Sequence, residues 1–294
     1  MDVETGPVPG GGERRRARVW SWTLALVALA VGTGVAVVFA WMADETHFDR
    51  PSAGFDELEA QIAVVPGVRT VDKERWVEAP TFSAPTSWMS VDVDADGFPG
   101  LLDAACSTTY PDPVTWSIRV HTAASTEVAF QASPIPDGAR CPDFGLDATR
   151  LVDELDRVTP GLAVQPSIWD DDRFALVALG HDMPEELIQL LPWAEHAEEL
   201  LDAAGLGRDR MLEINSADLG VVIGPGQGDA YVAMLTELAQ DRGVTSFWAD
   251  SGVPAGGVEK VHVVAPDDQH RAIEGIIRAS GLPVADLPVR FVEQ

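Results

Sequence analysis

The chain has 294 residues, of which 46% are hydrophobic and 23% charged, a composition that supports a folded protein with a substantial core. Its net charge is −27, with Lys73 and Lys260 as the only lysines. That balance excludes nucleic acid and anionic lipid headgroups as ligands, because both need clustered cations.

Residues 1–18 form a short tail whose four arginines outweigh three acids, so it is expected to be disordered and cytoplasmic. Residues 19–42, VWSWTLALVALAVGTGVAVVFAWM, run 24 positions without a charge. Such a stretch predicts a helix across the lipid bilayer. Trp20, Trp22 and Trp41 stand near its two ends, where indoles favour the interface. Arg14, Arg15, Arg16 and Arg18 precede it and Asp44 and Glu45 follow, which predicts a single-pass membrane protein with its C-terminal part extracytoplasmic. The run is too long for a cleaved signal peptide, and no A-x-A site stands at its end. Ala28, Gly32, Ala36 and Ala40 lie at spacing four, a stripe through which two such helices could self-associate, although an alanine-rich composition produces such stripes unaided.

Residues 43–54 read as a polar tether. A recurring order follows: a helix closed by glycine, a strand, a turn, a second strand ending near an aspartate, and another helix. The first copy holds FDELEAQIAVVPGV, RTVDKERW, SWMSVDVDAD and GFPGLLDAAC. The second holds ATRLVDELDRVTPGL, AVQPSIW, FALVALGHD and MPEELIQLL, and the third DAYVAMLTELAQDRGV, TSFWADSG, VEKVHVVAPDD and QHRAIEGIIRASG. Further strands, TWSIRVHTA and TEVAFQA, then RMLEINSA and LGVVIG, fill the spaces between copies. The expected fold class is α+β, with one transmembrane helix followed by repeated ferredoxin-like units traced over 87–169 and 174–248. The first module is placed at 55–132, a Pro/Gly-rich linker at 133–145, and a second region with two further copies at 146–294.

Within the first copy, VDVDADGFPGLLD resembles a calcium-binding loop in part. Asp92, Asp94 and Asp96 alternate ahead of Gly97, and Asp103 takes the closing position, where a longer glutamate is usual. Pro99 is foreign to that pattern, and the preceding residues read as a strand rather than a helix. The competing reading covers three sites with one rule: Asp96, Asp182 and Asp267 each stand at a strand-to-helix junction, where an aspartate caps free backbone N–H groups. Calcium is therefore the minor alternative at Asp92, Asp94, Asp96 and Asp103, and no other cofactor is expected.

Cys106 and Cys141 are the only cysteines, and in an oxidising compartment an even count predicts a disulfide between them. GPGQGD at 224–229 lacks the dinucleotide spacing and reads as a turn. WDDDR at 169–173 reads as a solvated hairpin tip. The six histidines show no zinc-ligand spacing, and G-x-S-x-G and S-x-x-K are absent. These observations point to a non-enzymatic binding or scaffolding module whose partner is a protein of the bacterial envelope. The alternative is an extracytoplasmic metal-dependent sensor or enzyme built on Asp92, Asp94 and Asp96 or on the carboxylates at 170–172.

Overall fold

The structure is a computed structural model describing residues 47–78, 84–133, 141–169, 173–180, 187–249 and 259–292. The chain divides into two compact units, one comprising residues up to Pro51 with Arg75–Pro85, the other Ser52–Glu74 with Thr86–Gln294. In the smaller unit, strand β1 (His47–Asp49) runs antiparallel to the end of strand β2 (Val68–Glu78), with Phe48 opposite Val77 and Asp49 opposite Trp76. The Arg75 guanidinium closes that pairing by donating to the Arg50 carbonyl at 2.8 Å.

The larger unit is built from one sequence rule. In strand β3 (Thr86–Asp94), Ser87, Met89, Val91 and Val93 are buried while the intervening residues are only half-buried. A period of two of this kind specifies a sheet with one face in a core. Helix α2 (Phe98–Cys106) follows, burying Phe98, Leu101 and Ala105, and strand β4 (Val114–His121) returns parallel to β3 with Val91 opposite Ile118. A hairpin leads to strand β5 (Glu127–Ala132), and the same strand, helix, parallel strand unit begins again.

The second unit is β5, helix α3 (Ala148–Val158) and strand β6 (Ala163–Ile168). The third is strand β7 (Phe174–Ala178), the short helices α4 (Leu191–Glu195) and α5 (Ala197–Ala203), and strand β8 (Leu212–Asn215). The fourth is strand β9 (Leu219–Ile223), helix α6 (Gly228–Arg242) and strand β10 (Ser246–Ala249). The fifth is strand β11 (Val261–Val264), helix α7 (His270–Ala279) and strand β12 (Val289–Phe291). Antiparallel hairpins join successive units. The twelve strands thus lie in chain order in a mixed sheet. Helix α1 (Ala53–Ala63) precedes β2.

This corrects the expected fold class. The traced order of strand, helix, strand, strand, helix, strand is present over 87–169 and 174–248, but the units are not ferredoxin-like. In that arrangement each strand-helix-strand crossover leaves room for another strand between its two strands. Here every such crossover joins immediate neighbours, so no separate four-stranded sheet closes off. The apolar run at 19–42 lies outside the described residues. The transmembrane, single-pass part of the expectation is also corrected, since no helix among the described residues is long and apolar enough to cross a membrane. The 15-residue α6 would reach only about 22 Å, against roughly 30 Å of hydrocarbon.

One apolar cluster joins the buried strand residues to helix residues such as Phe55, Leu151, Leu155, Trp193, Leu235, Leu238, Ile273 and Ile277. On β2, the charge that faces the helix layer is paired. Lys73 on β2 reaches Asp56 and Glu59 of α1, each at 2.5 Å, and lies 5.7 Å above the Phe55 ring. Burial works against the ammonium, and the two carboxylate hydrogen bonds outweigh it, so the Lys73 pKa is raised. The disulfide is present: Cys106 at the end of α2 is bonded to Cys141, with Cα atoms 4.3 Å apart.

Candidate functional site: the second face of the sheet

Opposite the helix layer, the strands expose their other parity. On β3 to β5 this face is polar and ordered by cross-strand register. Asp92 is opposite Arg119, Asp94 opposite His121, and His121 opposite Glu127. The Arg119 Nε lies 3.2 Å from Asp92 Oδ1, an ion pair whose angle falls short of a hydrogen bond. Thr70 Oγ1 donates to Asp92 Oδ2 at 2.9 Å, and Arg69 Nε donates to Asp94 Oδ1 at 2.7 Å. His121 Nδ1 stands 3.8 Å from Glu127 Oε2. The charged groups are tied to neighbours along the sheet and do not converge on one point.

At the hairpin beyond β4 the network becomes structural. Thr122 and Thr126 donate to the same Asp156 oxygen at 2.5 and 2.6 Å, and the Gly161 N–H donates to Thr126 Oγ1 at 3.0 Å. This ties the turn to α3. Further across the sheet, Arg173 meets Glu213 at 2.8 Å, with side chains only 14% and 7% exposed. Ala175 is fully buried on this same parity. Trp248 lies across Gly220, where an added Cβ would come within 2.8 Å of the indole Cδ1. The face therefore grades from a polar lattice on β3–β5 to a tighter, partly covered region on β7–β10.

Several residues expected to carry chemistry play other parts. Asp92, Asp94, Asp96 and Asp103 are not gathered: the first two are paired with Arg119 and Arg69, Asp96 is exposed in the turn, and Asp103 is exposed on α2. Among the described residues no group of three or more His, Cys, Asp or Glu could hold a metal ion. Gly97, which suggested a calcium loop, has a packing role. An added Cβ would sit 2.4 Å from the Pro66 carbonyl oxygen and 2.9 Å from the Gly67 Cα. The glycine lets the two turns cross while the Asp94 N–H donates to the Gly67 carbonyl at 2.8 Å.

The capping rule is corrected in the same region. Gly97, not Asp96, occupies the N-cap of α2, and no side chain caps that helix, because the chain is already helical at Gly97 and Pro99 enters its first turn. Asp267 begins a 3₁₀ turn, Asp267–Gln269, that itself leads into α7, and its carboxylate stands 3.7 Å from His270 Nε2. Asp182 lies outside the described residues, as do His181 and the carboxylates at 170–172. Among the described residues, the aspartate that caps a helix with its side chain is Asp147, which accepts from the Arg150 N–H at 3.2 Å at the start of α3.

GPGQGD is a turn closed on itself. Gln227 Oε1 accepts from the Gly224 N–H at 3.0 Å, and Gly228 packs so close to α4 that an added Cβ would fall 2.4 Å from the Ala194 carbonyl oxygen. The groove beside it holds Glu195, Glu198, Glu199 and Asp229, a lining that repels phosphate. No family model, curated protein or solved structure matches the chain.

Proposed function

We propose that the protein is a non-enzymatic binding module of an oxidising, extracytoplasmic compartment, and that it presents the second face of its sheet to a protein partner. The Cys106–Cys141 disulfide supports the compartment, since such bonds persist where thiols are not kept reduced. The observation that carries the binding role is the lattice Thr70–Asp92–Arg119 with Arg69–Asp94 and His121–Glu127. Its side chains are already held in place, so little conformational entropy remains to be lost when a partner docks. The acidic chain would also steer a partner that is itself basic, raising the encounter rate at low salt.

The test is photo-cross-linking in living cells, with the cross-linking residue placed at Ser90 or Gln131 on the sheet face and at Glu57 on α1 as the control. One dominant adduct from Ser90 and Gln131, weakened by Arg119→Glu and missing from Glu57, is expected. Adducts that are the same from all three positions would overturn the proposal.

A further inference from the structure

We propose that the helix layer carries a self-association surface, the groove between α6 and α7, and that its occupant is the same helix pair of a second copy of this chain. Because β9 and β10 are parallel and β11 runs antiparallel to β10, α6 and α7 lie antiparallel. Between them is a groove of 590 Å³ floored by small and apolar residues, among them Ala233, Met234, Gly275 and Ile276. Nothing lies within 4 Å of where a Gly275 Cβ would stand, so the floor is open to an incoming side chain.

Charge selects the occupant. A chain of net charge −27 repels its own copies almost everywhere, as at the neighbouring groove with its four carboxylates. The α6–α7 groove instead carries one carboxylate, Glu237, and one guanidinium, Arg242. Arg242 Nε is shut off from solvent and meets no acceptor among the described residues. A two-fold arrangement with α6 antiparallel to its counterpart sets Glu237 of each copy against Arg242 of the other, so a single contact is made twice. Beside it, Glu274 and Arg278 of α7 neutralise each other at 2.9 Å and add no repulsion. This surface is on the helix side of the sheet and leaves the proposed partner face free.

The test uses the full chain. Both native cysteines are in the disulfide, so a cysteine introduced at Gln240, exposed on α6 and beside the two-fold axis that pairs Glu237 with Arg242, reports the groove, and one at Asp153, exposed on α3, serves as control. Oxidation is expected to give a covalent dimer through Gln240→Cys and not through Asp153→Cys. Glu237→Arg should reduce that dimer tenfold or more, and adding Arg242→Glu should restore it. Restoration by charge exchange separates pairing across the interface from simple loss of fold. Sedimentation of the unsubstituted chain as a monomer at all concentrations, equal dimer yield from both cysteines, or failure of the exchange to restore would each overturn the proposal.

Discussion

Replacing Glu213 by glutamine should be the most damaging single polar substitution on the second face. Glu213 and Arg173 are 2.8 Å apart, and their side chains are 7% and 14% exposed. Removing the Glu213 charge takes a carboxylate away from a guanidinium held where there is little water, and breaking a buried pair costs about 3–5 kcal/mol. For a unit of this size each kcal/mol lowers Tm by roughly 2–4 °C, so a fall of about 6–20 °C is expected. The double variant Arg173→Met with Glu213→Leu removes both charges and fills the space, and should recover most of the loss, since apolar replacements of buried pairs are often neutral or stabilising. The assay is denaturant and thermal unfolding followed by tryptophan fluorescence, carried through a double-mutant cycle. A loss under about 1 kcal/mol for Glu213→Gln, the value of an exposed pair, would refute the reasoning and show that this part of the face is solvated.

Gly97→Ala should destabilise by about 1–3 kcal/mol, because the new methyl meets backbone atoms of Pro66 and Gly67 that have no flexible end to swing away. Gly226→Ala, where φ is +70° and nothing lies within 4 Å, should cost only the left-handed backbone penalty of about 1 kcal/mol; equal losses in urea unfolding would contradict the crossing of the two turns. Reduction of Cys106–Cys141, which closes 35 residues of chain, should lower stability by roughly 3–4 kcal/mol or less, read as a Tm difference with and without reductant. Burial pushes the Tyr231 phenol up to about 12. Its raised value means that the contribution is complete below the ordinary tyrosine range and is lost as pH climbs towards 12, so Tyr231→Phe should delete a late step from the 295 nm titration. Glu154 has the opposite sign: its hydrogen bond from Arg157 holds the carboxyl below its usual value. That contribution is present above the ordinary glutamate range and fades as pH falls through the lowered value, so Glu154→Gln should flatten the acid limb of a stability profile.

The order of elements was legible in the sequence because each depends on short-range pattern. Met89, Val91 and Val93 alternate, and the helix residues Leu151 and Leu155 fall one turn apart. The strands β3 to β11 and the helices α1 to α3, α6 and α7 lie where those patterns put them. The pair α4–α5 was overlooked, although LPWAEHAEELLDAAG ends on Gly205 at φ +73°, a recognisable helix stop. Edge strands β1 and β12, of three residues each, are too short for any periodicity. What periodicity does not encode is whether a strand-helix-strand crossover joins neighbours or leaves a gap, and that choice separates ferredoxin-like modules from the continuous sheet.

The candidate site was hidden for a related reason. Asp92 and Asp94 drew notice as a possible ligand run because they are close in sequence, yet their partners, Thr70, Arg69 and Arg119, come from other strands. Arg119 in TWSIRVH is an ordinary outward residue until register sets it opposite Asp92. The same holds for Arg173 and Glu213, separated by a helical crossover and brought side by side only by the parallel pairing of β7 and β8. A carboxylate run on one strand gains meaning from the charge on the next. In a sheet whose neighbours are all consecutive in the chain, that charge is supplied at each step by a strand one hairpin or one crossover away. Such a face can change residue by residue at the surface while the buried parity, and with it the fold, stays fixed.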